Sequence, residues 1–384
     1  MTKQNMIIGI NSGTSFDGID IALVQFQKDS LKPKFIDGIV YEYPKVIKEK
    51  IRTLIETKLA VSLQEISQLN FLLGNVFADA ALKIIKRNKL QSKDILLIAS
   101  HGQTIFHHPN KEKIHNYKIS STLQLGESSV ISARTGIRTI SNFREADIAS
   151  GGQGAPLMPF LDWVMFNNNN NIKAVLNIGG ISNVTITGKN ISPIAFDIGP
   201  GNALIDLISK IYFNKDYDKD GKLALKGKID FSSVETALKD KYFKLKPPKS
   251  TGKEYFNLRF IQKHFFRIKK KEDKLATVTF FSAKTIEKGF RDFILPKYDV
   301  GEIILSGGGI KNKTLMKHLK QLLVEASGRK PLLVQSDKYG LPYKYKEAIL
   351  FALLGYTCHK RIKNNLPSCT GAKKKAILGR IINV

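Results

Sequence analysis

A chain of 384 residues, 42% of them hydrophobic, has room for two domains of ordinary size, each with a substantial core. Two cysteines, Cys358 and Cys369, are too few for a disulfide framework or a zinc site. No apolar run reaches the length of a membrane span, and only three or four apolar residues precede Gly9 where a signal peptide needs more, so a cytoplasmic protein is expected. The formal charge of +28 fits either a nucleic-acid surface or a lysine-rich composition spread over solvated faces. No helix-turn-helix, zinc finger or aromatic-basic sheet motif accompanies the charge, so nucleic acid is not the expected partner.

The chain opens on a hairpin: apolar residues 6–8 and 21–26 flank the segment GINSGTSFDGID at 9–20. Such a turn sets backbone N–H groups and hydroxyls at a sheet end, where they suit phosphate oxygens and its carboxylates can reach a Mg²⁺ ion. A tight hairpin with no ligand fits the same residues. A third strand is expected over 35–43. Residues 62–90 read as a long helix, opened by a Ser62/Glu65 capping box and carrying Leu63, Ile66, Leu69, Leu73, Val76, Ala80 and Ile84 at helical spacing. Residues 95–99 read as a buried strand emptying into a loop, SHGQT at 100–104, the edge where open α/β sheets gather ligands. His101, beside Gln103 and Thr104, is a candidate substrate residue or a hydrogen-bonded loop histidine.

A helix through Ala133 and a strand at 138–141 lead into NFREADIASGGQGAPL at 142–157. There Arg144 offers a forked donor, and Arg144 with Asp147 could equally form a surface ion pair. Five asparagines at 167–171 read as an exposed loop. The opening pattern then returns: AVLNIGGISNVTIT at 174–187 is strand, glycine turn at Gly179 and Gly180, strand. Two such hairpins, each leading a half of strands and helices, suggest a duplicated α/β domain with a cleft between the copies. A strand at 194–196 runs into DIGPGN at 197–202 and a helix at 203–212. Asp197, beside glycines and a helix N-terminus, is placed for general-base chemistry, a turn or N-cap aspartate being the alternative. PPKSTGKEY at 247–255 lacks the P-loop spacing. A basic run at 267–271 precedes a helix expected at 276–293. A strand at 302–306 then meets Gly307, Gly308 and Gly309, which let an adenosine approach the backbone, before a helix at 313–325. The last helix is expected over 345–363 with Glu347 near its start, and 366–372 closes the chain.

Taken in order, these motifs resemble the anhydro-N-acetylmuramic acid kinases, a family within the actin/hexokinase/Hsp70-like ATPase fold. The resemblance runs from Gly9 to Gly379, and adds Ser306 with its three glycines, Glu347 with Ala348, and NLPS at 365–368 with Thr370 to the segments above. It implies an α/β fold of two duplicated ribonuclease H-like domains with an active-site cleft between them. Residues 1–134, completed by about 366–384, would form the first domain and 135–365 the second. It implies a cytoplasmic, homodimeric kinase of peptidoglycan recycling. With ATP, Mg²⁺ and water, such an enzyme converts 1,6-anhydro-N-acetylmuramic acid to N-acetylmuramic acid 6-phosphate. By the same resemblance Asp197 would be the base. Gly13, Thr14, Ser15, Phe16, Asp17, Gly18, Ile19 and Asp20, with Gly179, Gly180, Ser306, Gly307, Gly308 and Gly309, would bind ATP. Ser12, His101, Gln103, Thr104, Arg144, Asp147 and Glu347 would bind the sugar, Arg144 suiting its lactyl carboxylate. Mg²⁺ would ride mainly on the phosphates, within reach of Asp17 or Asp20. The chain departs from the family pattern at Asn11, usually Met, at Lys253, usually Arg, and at Lys344, usually acidic. The rival readings are another sugar kinase of this fold acting on a free hydroxyl, and a basic nucleic-acid-binding protein.

Overall fold

The computed structural model describes residues 5–13, 18–56, 61–167 and 171–384. Thr14, Ser15, Phe16 and Asp17 of the first turn, and the asparagines at 168–170, lie outside the described residues. The chain divides into two units, Met1–Met165 with Gly340–Val384, and Phe166–Tyr339.

In chain order the first unit holds β1 (Asn5–Ser12), β2 (Ile19–Phe26), β3 (Lys34–Tyr41), α1 (Lys45–Glu56), α2 (Leu63–Arg87), β4 (Ile95–Ile114), β5 (Tyr117–Leu125), α3 (Ser128–Thr135), β6 (Thr139–Ser141), α4 (Glu145–Ala149) and α5 (Met158–Phe166). The second holds β7 (Ile172–Ile178), β8 (Ser182–Thr187), β9 (Ile194–Gly199), α6 (Ala203–Phe213), α7 (Phe231–Leu238), α8 (Lys241–Lys244), α9 (Leu258–Phe265), α10 (Lys271–Gly289), β10 (Val300–Ser306), α11 (Lys313–Ser327) and β11 (Leu332–Gln335). The chain returns to the first unit with α12 (Lys346–His359), α13 (Pro367–Thr370) and β12 (Arg380–Ile382).

The two sheets repeat one topology. In the first, the path is β12-β6-β4-β1-β2-β3; in the second, β11-β10-β7-β8-β9. In each, the first three strands form an antiparallel meander, the fourth main strand lies parallel beside the first, and the next lies parallel beside the fourth. This is the duplicated ribonuclease H-like order expected from the sequence. The first core packs β1, β2 and α2 residues such as Ile8, Ile21, Leu73 and Phe77. The second joins Leu176, Ile186 and Leu305 of its sheet to Ile286 and Leu319 of α10 and α11. A further aromatic cluster around Phe256, Phe260 and Phe281 ties α9 to α10.

Burial explains most local choices. α2 starts where expected, with both halves of the Ser62/Glu65 capping box formed. α12 is buried on nearly every side, as a helix apolar all round should be. It can lie against the sheet because Gly9 has no side chain: a Cβ there would come within 1.9 Å of the Ala348 carbonyl oxygen.

Several expectations change. Residues 100–104 are not a loop; they lie inside β4, paired to β1 as far as Gln103 and to β5 from there on. α1, α5, β5, β11 and β12 were not foreseen, and α12 stops at His359 rather than at 363. The first unit runs on through α5 and takes the chain back from Gly340. β6 pairs with β4, and α12 packs on β1 and β4, so both complete the first sheet. Among the described residues no helix is long and apolar enough to cross a membrane.

Candidate functional site

In the first unit, polar side chains collect at the C-terminal end of β1 and along β4. Ser12, 3% exposed, donates its hydroxyl hydrogen to Gln103 Oε1 at 2.5 Å and shares a 2.7 Å hydrogen bond with the Tyr43 hydroxyl. Since the serine has one proton to give, Tyr43 must be the donor to Ser12 Oγ. Burial pushes the Tyr43 phenol well above its ordinary range, which keeps that proton in place. The Gln103 amide nitrogen turns to the Thr104 carbonyl oxygen at 3.2 Å, and Thr104 Oγ1 accepts from Gln124 Nε2 at 3.3 Å.

Arg144, at the N-cap of α4, donates through Nε to His101 Nε2 at 3.0 Å and through Nη1 to the Gly154 carbonyl at 2.7 Å. Burial pulls its guanidinium down to about 10, against the pull of Glu347 and Glu145. His101 is buried and stacked on Phe351 of α12, ring centroids 4.3 Å apart. Burial first, then the Arg144 charge, hold its pKa well below 6.5, so the ring is neutral. With Nε2 accepting from Arg144, the proton sits on Nδ1. Asn11, the departure beside the turn, donates from Nδ2 to Glu347 Oε2 at 2.5 Å. The first unit therefore brings Arg144 to His101, Ser12 to Gln103 and Asn11 to Glu347.

Asp147 does not join them. It is 0% exposed, and neither a surface ion pair with Arg144 nor an open ligand position fits it. Its Oδ1 accepts from Asn365 Nδ2 and Thr370 Oγ1, both at 2.8 Å, and its Oδ2 accepts from the Gly154 N–H at 2.8 Å. The carboxylate knots the glycine turn to α13 and so sets the Gly154 carbonyl that receives Arg144. Of the first hairpin's remaining residues, Gly13 and Gly18 flank the undescribed segment, Ile19 is a fully buried core residue, and Asp20 sits half-buried on β2 opposite Asn11.

In the second unit the glycine turn is closed by a helix. The N–H groups of Asn202 and Ala203 donate to the carbonyls of Gly179 and Gly180 at 2.8 and 3.0 Å. Gly201, φ +46°, must be glycine, because a Cβ there would stand 2.4 Å from the Gly179 oxygen. The three glycines after β10 differ. A Cβ on Gly307 or Gly309 would strike Ile178, whereas nothing lies within 4 Å of one on Gly308. Ser306 Oγ meets Asn177 Oδ1 at 3.4 Å.

Asp197 lies within β9 rather than just after it. Segment 247–252 straps it down: the Asp197 N–H donates to the Lys249 carbonyl at 3.0 Å, and the Thr251 N–H donates to Asp197 Oδ2 at 2.9 Å. The Tyr242 hydroxyl donates to the Asp197 carbonyl at 2.7 Å. Burial raises the carboxyl to about 6; the Thr251 hydrogen bond opposes this, nearby Glu254 adds to it, and Lys249 opposes it. Lys249 rests over the rings of Tyr242 and Phe293, 4.6 and 5.1 Å from their centroids, and burial lowers it to about 8. Asp206, in the first turn of α6, was not singled out from the sequence. Burial lifts it to about 7 against Lys253, whose stem lies over Gly180. Tyr43, Tyr242 and Asp206 carried no sequence signal, because each acts through burial. Among the described residues, no three His, Cys, Asp or Glu side chains gather as a metal site.

The second unit offers a half-buried carboxyl with a near-neutral pKa and, at Gly308, open space beside a glycine turn, and the first unit holds a set of neutral and cationic donors. A sequence model of the family described as anhydro-N-acetylmuramic acid kinase matches residues 5–384. A protein of that name from Caldanaerobacter subterraneus subsp. tengcongensis is 40% identical over 390 residues, covering 99% of this chain and 97% of its own length. One from Clostridioides difficile is 42% identical, covering 97% of each chain. One from Francisella tularensis subsp. novicida is 41% identical, covering 99% of each. Among solved structures, an activator of 2-hydroxyisocaproyl-CoA dehydratase from Clostridium difficile with bound ADPNP covers 94% of this chain at 13% identity, with a TM-score of 0.41; a likeness that weak decides nothing. On the family match and the full-length relatives, the chain belongs to the anhydro-N-acetylmuramic acid kinase family.

Proposed function

We propose that this chain is a cytoplasmic, homodimeric phosphotransferase with an alcohol acceptor. It hydrolyses the 1,6-anhydro bridge of 1,6-anhydro-N-acetylmuramic acid and phosphorylates O6 with ATP, giving N-acetylmuramic acid 6-phosphate and ADP for peptidoglycan recycling. The bridge oxygen and the phosphoryl acceptor are the same atom. Asp197 takes a proton from water as the water oxygen attacks C1. The C1–O6 bond breaks, its electron pair stays on O6, and O6 attacks the γ-phosphorus as the bond to ADP breaks. The single observation that carries this reading is the Asp197 carboxyl. One of its oxygens is fixed by the Thr251 N–H, and burial holds its pKa at about 6, where it is ionised at neutral pH yet basic enough to accept a proton.

The other roles follow from chemistry. The first turn, Gly13 to Asp20, and the glycines Gly179, Gly180, Gly307, Gly308 and Gly309 with Ser306 would hold ATP. Gly308 is the position with room for a base or ribose. Arg144, with two of its donors already aimed by His101 and Gly154, would face the lactyl carboxylate, while Ser12, His101, Gln103, Thr104 and Glu347 would face sugar oxygens and the N-acetyl group. His101 offers a neutral Nδ1–H for this. Asp20, half-buried beside the turn, fits a water-bridged Mg²⁺ ligand; with Asp17 it would hold the ion, which when bound neutralises charge on the phosphates.

The test is turnover of the anhydro sugar with ATP in H₂¹⁸O, read before the product aldehyde exchanges its oxygen. The reading predicts ¹⁸O at C1 and none in the phosphate ester. A free-hydroxyl sugar kinase would leave the anhydro sugar untouched.

A further inference from the structure

The segment that straps Asp197 down continues into a second contact. After the Thr251 N–H reaches Asp197 Oδ2 at 2.9 Å, the Tyr255 and Phe256 N–H groups close onto the Gly252 carbonyl at 3.1 and 3.3 Å. Phe256 is 1% exposed and packs its ring against Tyr242 and Phe260. The backbone of Lys253 is therefore held from both sides. Its side chain runs over the glycine turn after β7: a Cβ on Gly180 would come within 2.6 Å of Lys253 Cε and 3.5 Å of its Nζ. Gly180 has no left-handed φ that would call for glycine, so the space it leaves is what the lysine stem uses.

The chain holds 61 lysines and arginines, and one more on the surface would mean little. Lys253 is distinguished by its surroundings. It is exposed, and among the described residues its ammonium makes no hydrogen bond or ion pair. The neighbouring Glu254 is folded back over Gly252, where a Cβ would meet its carboxylate. The carboxyl that feels the lysine is Asp206 in the first turn of α6, and burial lifts it to about 7, so near neutral pH it offsets the ammonium only in part. A fixed cation over a backbone turn, without a full counter-ion, suits a small multivalent anion.

We propose that Lys253 binds the terminal phosphate of the nucleoside triphosphate, above the turn at Gly179 and Gly180. The inference deepens the kinase reading and rests on it. The γ-phosphoryl group is the part of the nucleotide that comes nearest Asp197, because water, C1, O6 and phosphorus follow one another in the reaction. Lys253 stands two residues beyond Thr251, at most about 7 Å of chain. One short segment thus orients the base through a backbone N–H and carries the cation for the phosphate. Lys253 takes no proton and forms no bond. Its charge is set in place before O6 attacks, and it stabilises the negative charge spread over the phosphoryl oxygens during transfer.

The test is equilibrium binding by titration calorimetry with Mg²⁺, comparing the triphosphate analogue AMP-PNP with ADP. Wild type is expected to bind both. Lys253→Met should weaken AMP-PNP about 10- to 100-fold and ADP by less than about 3-fold, with an unchanged far-ultraviolet circular dichroism spectrum. Lys253→Arg, which keeps the charge, should stay within about 3-fold of wild type for both. In turnover, Lys253→Met should lower kcat about 100-fold. The limb of its pH profile near 6 should stay in place, because the Thr251 N–H still holds Asp197. Equal weakening of AMP-PNP and ADP in Lys253→Met, or weakening of neither, overturns the inference alone when wild type turns over the anhydro sugar. A wild type that binds neither nucleotide and leaves the anhydro sugar untouched overturns the kinase reading and the inference together.

Discussion

The two units share a strand order and finish it in different ways. In the first, the C-terminal end of β1 is furnished with side chains: Tyr43 to Ser12 to Gln103, Asn11 to Glu347, and His101 with Gly154 around Arg144. In the second, the same end is mostly backbone. Glycine carbonyls are capped by the start of α6, Gly308 is left open, and one carboxyl is pinned by a loop N–H. A duplicated scaffold thus repeats where chemistry can be placed and leaves its kind to individual residues. Side-chain networks suit recognition of a ligand rich in hydroxyls, whereas a carboxyl with few partners, left in a poorly solvated place, becomes a base.

The contrast breaks most visibly at Asp197. Asp197→Asn should lower kcat by about 10²–10⁴-fold, with KM for the sugar and ATP changed little. The same variant should be more stable. Asp197's folded pKa, about 6, lies above the ordinary 3.8, so its ionisation costs stability that accrues as pH rises from about 4 to 6 and is complete above that. Removing the charge should return on the order of 2 kcal/mol at pH 8 and almost nothing at pH 4, measured by urea unfolding at the two pH values. A variant equally stable at both would mean the carboxyl is well solvated.

In the first unit, Asp147 is expected to behave in the opposite sense. Its carboxylate satisfies three donors at 0% exposure, so Asp147→Ala should destabilise the fold by about 3 kcal/mol, seen as a lower urea midpoint. A loss of activity without loss of stability would return Asp147 to the ligand. The smallest effect is expected at Asn11. Asn11→Ala frees Glu347 from its 2.5 Å donor and should raise the sugar's KM about 3- to 10-fold with kcat nearly unchanged, in steady-state kinetics.

Much of this was legible in the sequence because it is local. Glycine turns, the Ser62/Glu65 capping box and the carboxylate that opens DIGPGN announce themselves within a few residues. What was illegible is long-range. Asp147 reads as a surface residue until Asn365, 218 positions away, closes on it. The first unit's extent depends on α12, which returns from the far end of the chain to lie on β1 at Gly9. Residues 100–104 look like a loop because they are polar, but pairing on both sides keeps them in β4. The alternation of Tyr117, Ile119 and Leu123 was a readable strand signal that went unused.

The most direct measurement of the central claim is the pH dependence of kcat for the wild type and Asp197→Asn at saturating anhydro sugar and ATP. The wild-type rate should fall as pH drops through about 6, and the residual rate of the variant should show no such limb. The same limb persisting in Asp197→Asn would assign the proton to another group and contradict the role of this carboxyl.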